Sequence, residues 1–354
     1  MPGLQIQALQ AWFKRDARQL PWRLNRGQSQ SLRGPERERH LYHVWLSEVM
    51  LQQTQVVTVV PYFLKFTKRF DTVQELARAS IDEIYELWAG LGYYSRARNL
   101  HRGAQAIAAR LESGKGFPSD RTEWLEIPGV GPYTAGAICS IALHQREPIV
   151  DGNVVRVLSR WYQISKLDAK YSEIWAKSTQ LVQAPEAKPS IFNQALMELG
   201  ATVCKPRNPK CESCPVALHC HGKSRWEHFP PKKKRAQVVA VSEVRHVTLA
   251  TLPSMPQVQV RHYVLLTQNE RTRWRTGLWD FLTAPPELSL LQIRSWSQSY
   301  QVTKHRVQRE NILWEYRGRD LPFVQNAKWW PVDQLPGVPA PVKKALGEII
   351  QSDP

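Results

Sequence analysis

Leu125-Glu126-Ile127-Pro128-Gly129-Val130-Gly131-Pro132-Tyr133-Thr134-Ala135-Gly136 is the stretch on which the fold turns. It joins one helix to another through a Gly-Val-Gly turn. Glycines permit the tight reversal and let a phosphate approach the backbone N–H groups that open the next helix. In isolation such a turn between helices could be a turn and nothing more, so the surrounding sequence decides. Upstream, Asp120 and Glu123 form a capping-box pattern before Trp124-Leu125. Downstream, Val154, Val157, Leu158 and Trp161 repeat at i, i+3, i+4, i+7.

The helical pattern extends through the first 220 residues. Leu9, Trp12, Phe13 and Leu20 recur at helical spacing. Ser95 is placed to cap a segment carrying Leu100, Ala104, Ile107, Ala108 and Leu111, and Ser190 to start a helix ending near Val203. No period-2 run stands out in this half. Residues 24–40 (LNRGQSQSLRGPERERH) are polar and contain two Gly and one Pro, as in an exposed loop. Residues 223–237 (KSRWEHFPPKKKRAQ), rich in Pro and Lys, form a linker. Beyond it Val239 and Val241, Val258 and Val260, and Ile312, Trp314 and Tyr316 alternate as strands do. Val342, Ala345, Leu346, Ile349 and Ile350 mark a closing amphipathic helix. The expected organisation is an all-α domain over 1–222, a linker over 223–237 and a smaller α+β domain over 238–354.

At about 150 residues per domain, 354 residues suit two or three domains. Hydrophobic residues at 42% supply sizeable cores, which argues against a disordered or fibrous chain. The formal net charge is +17. Residues 231–354 carry 18 basic and 10 acidic side chains, so +8 falls there and +9 on residues 1–230. A basic excess on both halves points to a polyanion, most often nucleic acid, against the alternative of solubility charge alone. No apolar run approaches the roughly 18 residues of a membrane span, and the N-terminus does not read as a signal peptide. A soluble, intracellular, cytoplasmic monomer with no membrane partner is expected, associated with the nucleoid in a bacterium.

Four of the five cysteines, Cys204, Cys211, Cys214 and Cys220, have the spacing C-x6-C-x2-C-x5-C. Structural zinc usually shows two Cys pairs separated by a longer loop, so this compact set favours a [4Fe–4S] cluster over zinc. His219 and His221 read as solvated loop residues, and Cys139, in an apolar helix, as a core residue. Lys205, Arg207 and Lys210 sit where a rigid turn aims them at phosphates, or form a solvated basic face.

Together the glycine hairpin, a Val-Asp motif about 20 residues later and the cysteine cluster resemble the helix-hairpin-helix DNA glycosylase superfamily, and within it the MutY-type adenine DNA glycosylases. The residues that carry the likeness are Leu20-Pro21-Trp22-Arg23, Ser47-Glu48-Val49-Met50-Leu51-Gln52-Gln53-Thr54-Gln55-Val56, residues 90–100 (GLGYYSRARNL), Pro128-Gly129-Val130-Gly131 and Val150-Asp151-Gly152-Asn153-Val154. They cover residues 1–222 densely and the rest loosely. The resemblance implies base-excision repair of double-stranded DNA: removal of adenine mispaired with 8-oxoguanine or guanine. It implies a helix-hairpin-helix glycosylase domain with an iron–sulfur cluster, joined to a Nudix-like domain that recognises 8-oxoguanine, and a backbone grip by Gly129 and Gly131.

Glu48 lies in an apolar run, and such surroundings raise a carboxyl pKa, although a buried Glu is also a common structural group. By resemblance it protonates adenine at N7 and then helps water attack. Asp151 stands where a helix N-cap stands; the resemblance assigns it to the positive charge that develops on deoxyribose, or to a transient adduct. Asn153 and Tyr133 then orient the sugar and the attacking group. Related endonuclease III-type enzymes carry a lysine at the Tyr133 position, which forms a Schiff base and cuts the strand, so Tyr133 implies a monofunctional enzyme. Gln53 and Tyr93 are implied as wedges in the vacated stack, and Arg23 and Gln194 as contacts of the flipped base. Plainer readings stand beside these: a core aromatic for Tyr93, solvated helix faces for the two glutamines, a surface charge for Arg23.

Gly277-Leu278-Trp279-Asp280-Phe281 resembles the Gly-Leu-Trp-x-Phe segment of the family's second domain, and no Nudix hydrolase box is visible. Where the family reads the lesion with Phe-Ser-His, this chain has Val302-Thr303-Lys304, in which Thr303 keeps a hydroxyl. The stretch 24–40 is longer than the family's usual link. Pro231-Lys232-Lys233-Lys234-Arg235 reads as a phosphate-contacting stretch rather than a nuclear import signal. Two alternatives are an endonuclease III-like lyase for oxidised pyrimidines, which Tyr133 contradicts, and a non-catalytic iron–sulfur DNA-binding protein, which Glu48 and Asp151 oppose.

Overall fold

The structure, a computed structural model, describes residues 2–24, 32–231, 237–252, 261–268, 277–302 and 304–351. Val258, Val260, Thr303 and residues 232–236 of the linker lie outside the described residues, as do residues 25–31 of the polar stretch; its residues 34–40 are not an exposed loop but the first turns of a helix, with Pro35 in the first turn and His40 buried. The chain divides into two compact units, Met1–Arg78 with Asn99–Lys234, and Ala79–Arg98 with Arg235–Pro354.

Among its described residues the first unit is helical: α1 (Pro2–Asp16), α2 (Gly34–Leu51), α3 (Val56–Arg69), α4 (Val73–Arg78), most of α6, α7 (Arg121–Leu125), α8 (Pro132–Ile141), α9 (Gly152–Tyr162), α10 (Ser172–Gln183) and α11 (Pro189–Thr202). Helices α5 (Ile81–Trp88) and the first residues of α6 (Tyr94–Glu112) belong to the second unit. Start signals explain the boundaries. Pro lies in the first turn of α2, α8 and α11, where its missing N–H costs no bond. Asp120 caps α7 by accepting the Glu123 N–H at 3.0 Å. The Glu123 carboxylate closes the box on Ser119 N at 2.7 Å, one residue earlier than the pattern predicts. Ser95 is not a cap, because α6 already begins at Tyr94 after a left-handed Tyr93 (φ 50°). The expected stripe on α9 is buried throughout, and α8 is buried from Thr134 to Ile141, as befits a helix apolar on every side. Cys139 is part of that core. No described helix is long and apolar enough to cross a membrane.

At the hairpin, the two glycines differ. Gly129 has φ 82°, and a Cβ there would stand 2.6 Å from the Asn99 Cβ. A Cβ on Gly131 meets nothing within 4 Å. Gly129 therefore makes the turn, while Gly131 leaves open space in front of the N-terminus of α8.

The second unit holds a six-stranded mixed sheet: β1 (Val239–Leu252), β2 (Arg261–Gln268), β3 (Trp279–Asp280), β4 (Leu290–Val302), β5 (His305–Tyr316) and β6 (Ala327–Pro331). The order is β3-β2-β1-β5-β4, with β6 also on β2; β1 and β5 are parallel and the other pairs antiparallel. Val239 is exposed although its strand is where the alternation put it; the buried positions of β1 begin at Arg245. The core gathers Val247, Val264, Leu266, Phe281 and Leu313 with Val342, Ala345, Leu346 and Ile349 of α12 (Ala340–Ile350). Residues 79–98 are built into this unit. The Tyr94 hydroxyl donates to the Val338 carbonyl at 3.2 Å, and Gly337 approaches Tyr85 so closely that a Cβ would lie 2.6 Å from it.

A fully buried guanidinium ties the sheet together. Arg309 of β5 donates to both oxygens of Asp280, at 3.1 and 2.9 Å, and to Glu243 of β1 at 2.7 Å. Tyr300 of β4 donates to the same Glu243 oxygen. Removing one partner strands the rest: Arg309→Met is expected to destabilise the unit by about 3–5 kcal/mol in urea unfolding. In the first unit, Gly129→Ala is expected to cost about 1–3 kcal/mol, whereas Gly131→Ala leaves the melting temperature nearly unchanged.

Candidate active site

A cleft of about 950 Å³ opens in the first unit, and its walls gather Glu48, Tyr133, Asp151, Asn153, Arg23, Gln194 and Gln53. Glu48 sits in the last turn of α2, a helix buried from His40 through Met50 except at half-buried His43, and is itself 5% exposed. Pro132 opens α8 and sets Tyr133 in its first turn, from where the hydroxyl donates to Glu48 Oε2 at 2.6 Å; Met197 Sδ lies 3.3 Å from the same hydroxyl. Burial pushes the Glu48 carboxyl up to about 7. The Tyr133 hydrogen bond and the Arg23 charge oppose that rise, and the Asp151 charge adds to it. Burial, with Glu48 and Asp151 nearby, also holds the Tyr133 phenol protonated well above its ordinary range.

Asp151 is the N-cap of α9 and faces the cleft as well. Its Oδ1 accepts the Val154 N–H at 2.7 Å, while Oδ2 accepts Asn153 Nδ2 at 3.0 Å. Burial raises its pKa, and these hydrogen bonds restrain the rise. Both readings of Asp151, cap and site carboxylate, are therefore compatible. Asn153 is held in turn by Arg156, whose Nη2 donates to Asn153 Oδ1 at 2.8 Å while its Nε reaches the Cys204 carbonyl at 2.8 Å.

Arg23 is anchored rather than free. Its Nη2 donates to Glu198 at 2.9 Å, and Arg18 Nε donates to the other oxygen of that carboxylate at 2.6 Å. Glu198 is 1% exposed; burial pushes its pKa up, but Arg18 and Arg23 outweigh that and leave it below the usual range. Glu198 and Arg18 were missed in the sequence. The signal was available: Gln194, Met197, Glu198 and Ala201 of α11 repeat at i, i+3, i+4, i+7 and all line the cleft. Gln194 folds back onto Ser190 of its own helix. Gln53 is exposed at φ 58° in the turn after α2. Tyr93 is 43% exposed and belongs to the second unit, with the Arg96 guanidinium 5.6 Å from its ring centre. Thr303 lies outside the described residues.

The four clustered cysteines line one small space beside Arg160 and Trp226, and His219 and His221 are not among its walls. Arg160 is 4% exposed. It donates to Cys204 Sγ at 3.4 Å and to the carbonyls of Lys205, Pro206 and Phe229, stitching the loop to α9. Among the described residues no three His, Cys, Asp or Glu converge on a position for a single ion. Four thiols around one space are the donor set of a cysteine-ligated centre. Burial, with the neighbouring thiols adding to it, pushes Cys214 up to about 12 and Cys220 to about 11, so these two ligands would give up protons on binding a metal centre.

Residues 46–184 match the model of the HhH-GPD superfamily of base excision DNA repair proteins. The human adenine DNA glycosylase is 44% identical over 223 residues, covering 62% of this chain and 39% of that protein. That of Buchnera aphidicola subsp. Baizongia pistaciae is 32% identical over 97% of this chain and 96% of its own length. The chain spans less than half the length of the human, Arabidopsis, rat and mouse proteins it matches. Among solved structures, a thermostable thymine-DNA glycosylase superposes with a TM-score of 0.53 at 25% identity, covering 63% of this chain and 96% of that one. A helix-hairpin-helix fold, a matching superfamily model and a relative matched from end to end place this chain in the adenine DNA glycosylase family.

Proposed function

We propose that this chain removes adenine mispaired with 8-oxoguanine or guanine in double-stranded DNA, by hydrolysis of the N-glycosidic bond. The observation that carries the reading is the buried Glu48 carboxyl beside the Tyr133 hydroxyl. A carboxyl poised near pH 7 both holds a proton for a leaving base and accepts one from water. Glu48 protonates N7 of the flipped adenine, the C–N bond lengthens, and positive charge gathers on the sugar. Asp151, fixed by its cap bonds, faces that charge, and as an anion it stabilises it. Glu48, now a carboxylate, takes a proton from the attacking water. Tyr133 and Asn153 orient the sugar and the nucleophile. Arg23, pinned by Glu198, and Gln194 hold the base, while Gln53 and Tyr93 fill the stack it leaves.

Around this centre, Gly129 and Gly131 present the N-terminus of α8 to a phosphate. A [4Fe–4S] cluster on Cys204, Cys211, Cys214 and Cys220 would, when bound, hold their loop as one rigid turn. Lys205, Arg207 and Lys210 then meet the DNA backbone. In this reading residues 1–222 form the catalytic domain, 223–237 the linker, and 238–354 a Nudix-like domain in which Thr303 contacts the 8-oxoguanine. A tyrosine cannot form a Schiff base, so the chain acts on the glycosidic bond alone.

Incubation of purified protein with a duplex carrying A opposite 8-oxoguanine, followed by alkali, is expected to cleave at the adenine; no cleavage would overturn the reading. Glu48→Gln should lower the rate roughly a hundred- to ten-thousand-fold while sparing DNA binding. Borohydride is expected to trap little or no enzyme–DNA adduct, and iron analysis should find about four irons per chain. The rate should fall with rising pH above about 7, as Glu48 loses its proton. Stability follows the same group. The folded carboxyl keeps its proton up to about pH 7 and an unfolded one loses it near 4.5, so burying Glu48 costs stability progressively as pH rises through that window. Glu48→Gln should therefore melt above wild type at pH 8, by an amount on the order of 3 kcal/mol, with the gain vanishing towards pH 4.5.

A further inference from the structure

The Tyr133 hydroxyl has one proton and two acceptors within reach. Glu48 Oε2 lies 2.6 Å away and Met197 Sδ 3.3 Å, a hydrogen-bond distance for sulfur. The three side chains come from α2, α8 and α11. Met197 is half-buried and lies on the cleft side of α11, in one stripe with Gln194, Glu198 and Ala201. A thioether is a weak acceptor and loses to a carboxylate, so the phenol donates to Oε2 while Glu48 is ionised. Protonation of Glu48 changes the contest. A carboxyl proton on Oε2 points at the phenol oxygen, which accepts it only if the phenol's own proton turns away. The Met197 sulfur is the described atom toward which it turns; without it that proton would be buried and unpaired, at the cost of a hydrogen bond.

We propose that Met197 is a positioning residue, the second acceptor that lets the Tyr133 hydroxyl reverse its hydrogen bond to Glu48. The Glu48 proton then has two seats. One is Oε1, which accepts no hydrogen bond among the described residues, and there Tyr133 goes on donating to Oε2. The other is Oε2, which donates to the Tyr133 oxygen while the phenol donates to the Met197 sulfur. Each arrangement holds the same two protons, one on the phenol and one on the carboxyl, so nothing is gained or lost in the exchange. Both belong to the acid form alone, and the sulfur therefore favours the acid over the carboxylate. Charges on the neighbouring elements act on both arrangements alike: Arg23 favours the anion, Asp151 at the start of α9 opposes it, and Glu198 of α11 is engaged by Arg18 and Arg23. The consequence for catalysis rests on the adenine-excision reading: from Oε1 the proton reaches the base, and on Oε2 it is withheld.

Carbon-13 NMR of the cluster-loaded full chain tests the exchange without DNA, with the Glu48 carboxyl signal assigned by Glu48→Gln. Met197→Leu keeps a similar volume and removes the acceptor. Its Glu48 midpoint is expected to fall from about 7 by roughly 0.5–1 pH unit. With DNA, the falling limb of the adenine-release rate should move to lower pH by the same amount. In a Tyr133→Phe background Met197→Leu should move neither, because the hydroxyl that couples the two side chains is gone. A second readout needs no change at Met197. Its methyl signal, one of four from methionine, should titrate with Glu48 in the wild-type chain and lose most of that response in Tyr133→Phe. A midpoint unmoved in Met197→Leu, a shift of equal size with and without the hydroxyl, or a methyl response that survives Tyr133→Phe would each overturn the proposal. A shifted midpoint in a chain that releases no adenine would sink the excision reading and leave the exchange standing.

Discussion

The contact between Glu48 and Tyr133 sets the terms for the first unit. A 2.6 Å hydrogen bond joins the last turn of α2 to the first turn of α8, two helices buried along most of their length. Burial works against the carboxylate and the phenolic donor works for it, and burial wins. A carboxyl in water would sit near 4.5, useless as an acid at neutral pH; a buried one without a partner would be hard to deprotonate at all. The position of α8 is thus a chemical parameter, and the glycine hairpin that starts this helix fixes it.

Buried charge is handled alike in both units. Glu198 is shared by Arg18 and Arg23, and Arg309 is shared by Asp280 and Glu243. Each arrangement places one fully buried ion among several counter-charges, which is the condition under which burial does not exceed the Coulomb gain. The consequences differ. In the sheet the charges close on each other and join β1, β3 and β5. In the cleft Arg23 is 15% exposed and presents an oriented guanidinium to whatever enters.

Local signals in the sequence carried a large part of this. The stripe on α9 and the caps at Asp120 and Asp151 depend on neighbours within four residues, and they lie where the pattern put them, whereas α11 begins at Pro189, one residue before the expected Ser190. The pKa of Glu48 was also legible, because an apolar run on both sides of a carboxyl already implies burial. What was hidden depends on distance in sequence. The pair Arg18–Glu198 spans 180 residues, and no local pattern announces it. The helical stripe through Gln194 and Glu198 was there to read but was masked by its polar residues, which look like a solvated face. Residues 79–98 were hidden for a different reason: they continue a helical run, and only their packing against residues 337 and 338 shows where they belong.

That packing makes the second unit discontinuous. Its sheet comes from residues after 235, yet the side chains of Tyr85 and Tyr94, each nine-tenths buried or more, arrive from a stretch roughly 140 residues earlier. A fragment cut at the linker would keep every described strand and the core around Val247, Phe281 and Leu346, and would lose the Tyr94 bond to the Val338 carbonyl and the Tyr85 contact at Gly337. The linker is thus where the chain passes between the units for the last time, residues 79–98 having joined the later unit already. During synthesis those two contacts close only after residues 337 and 338 have been made.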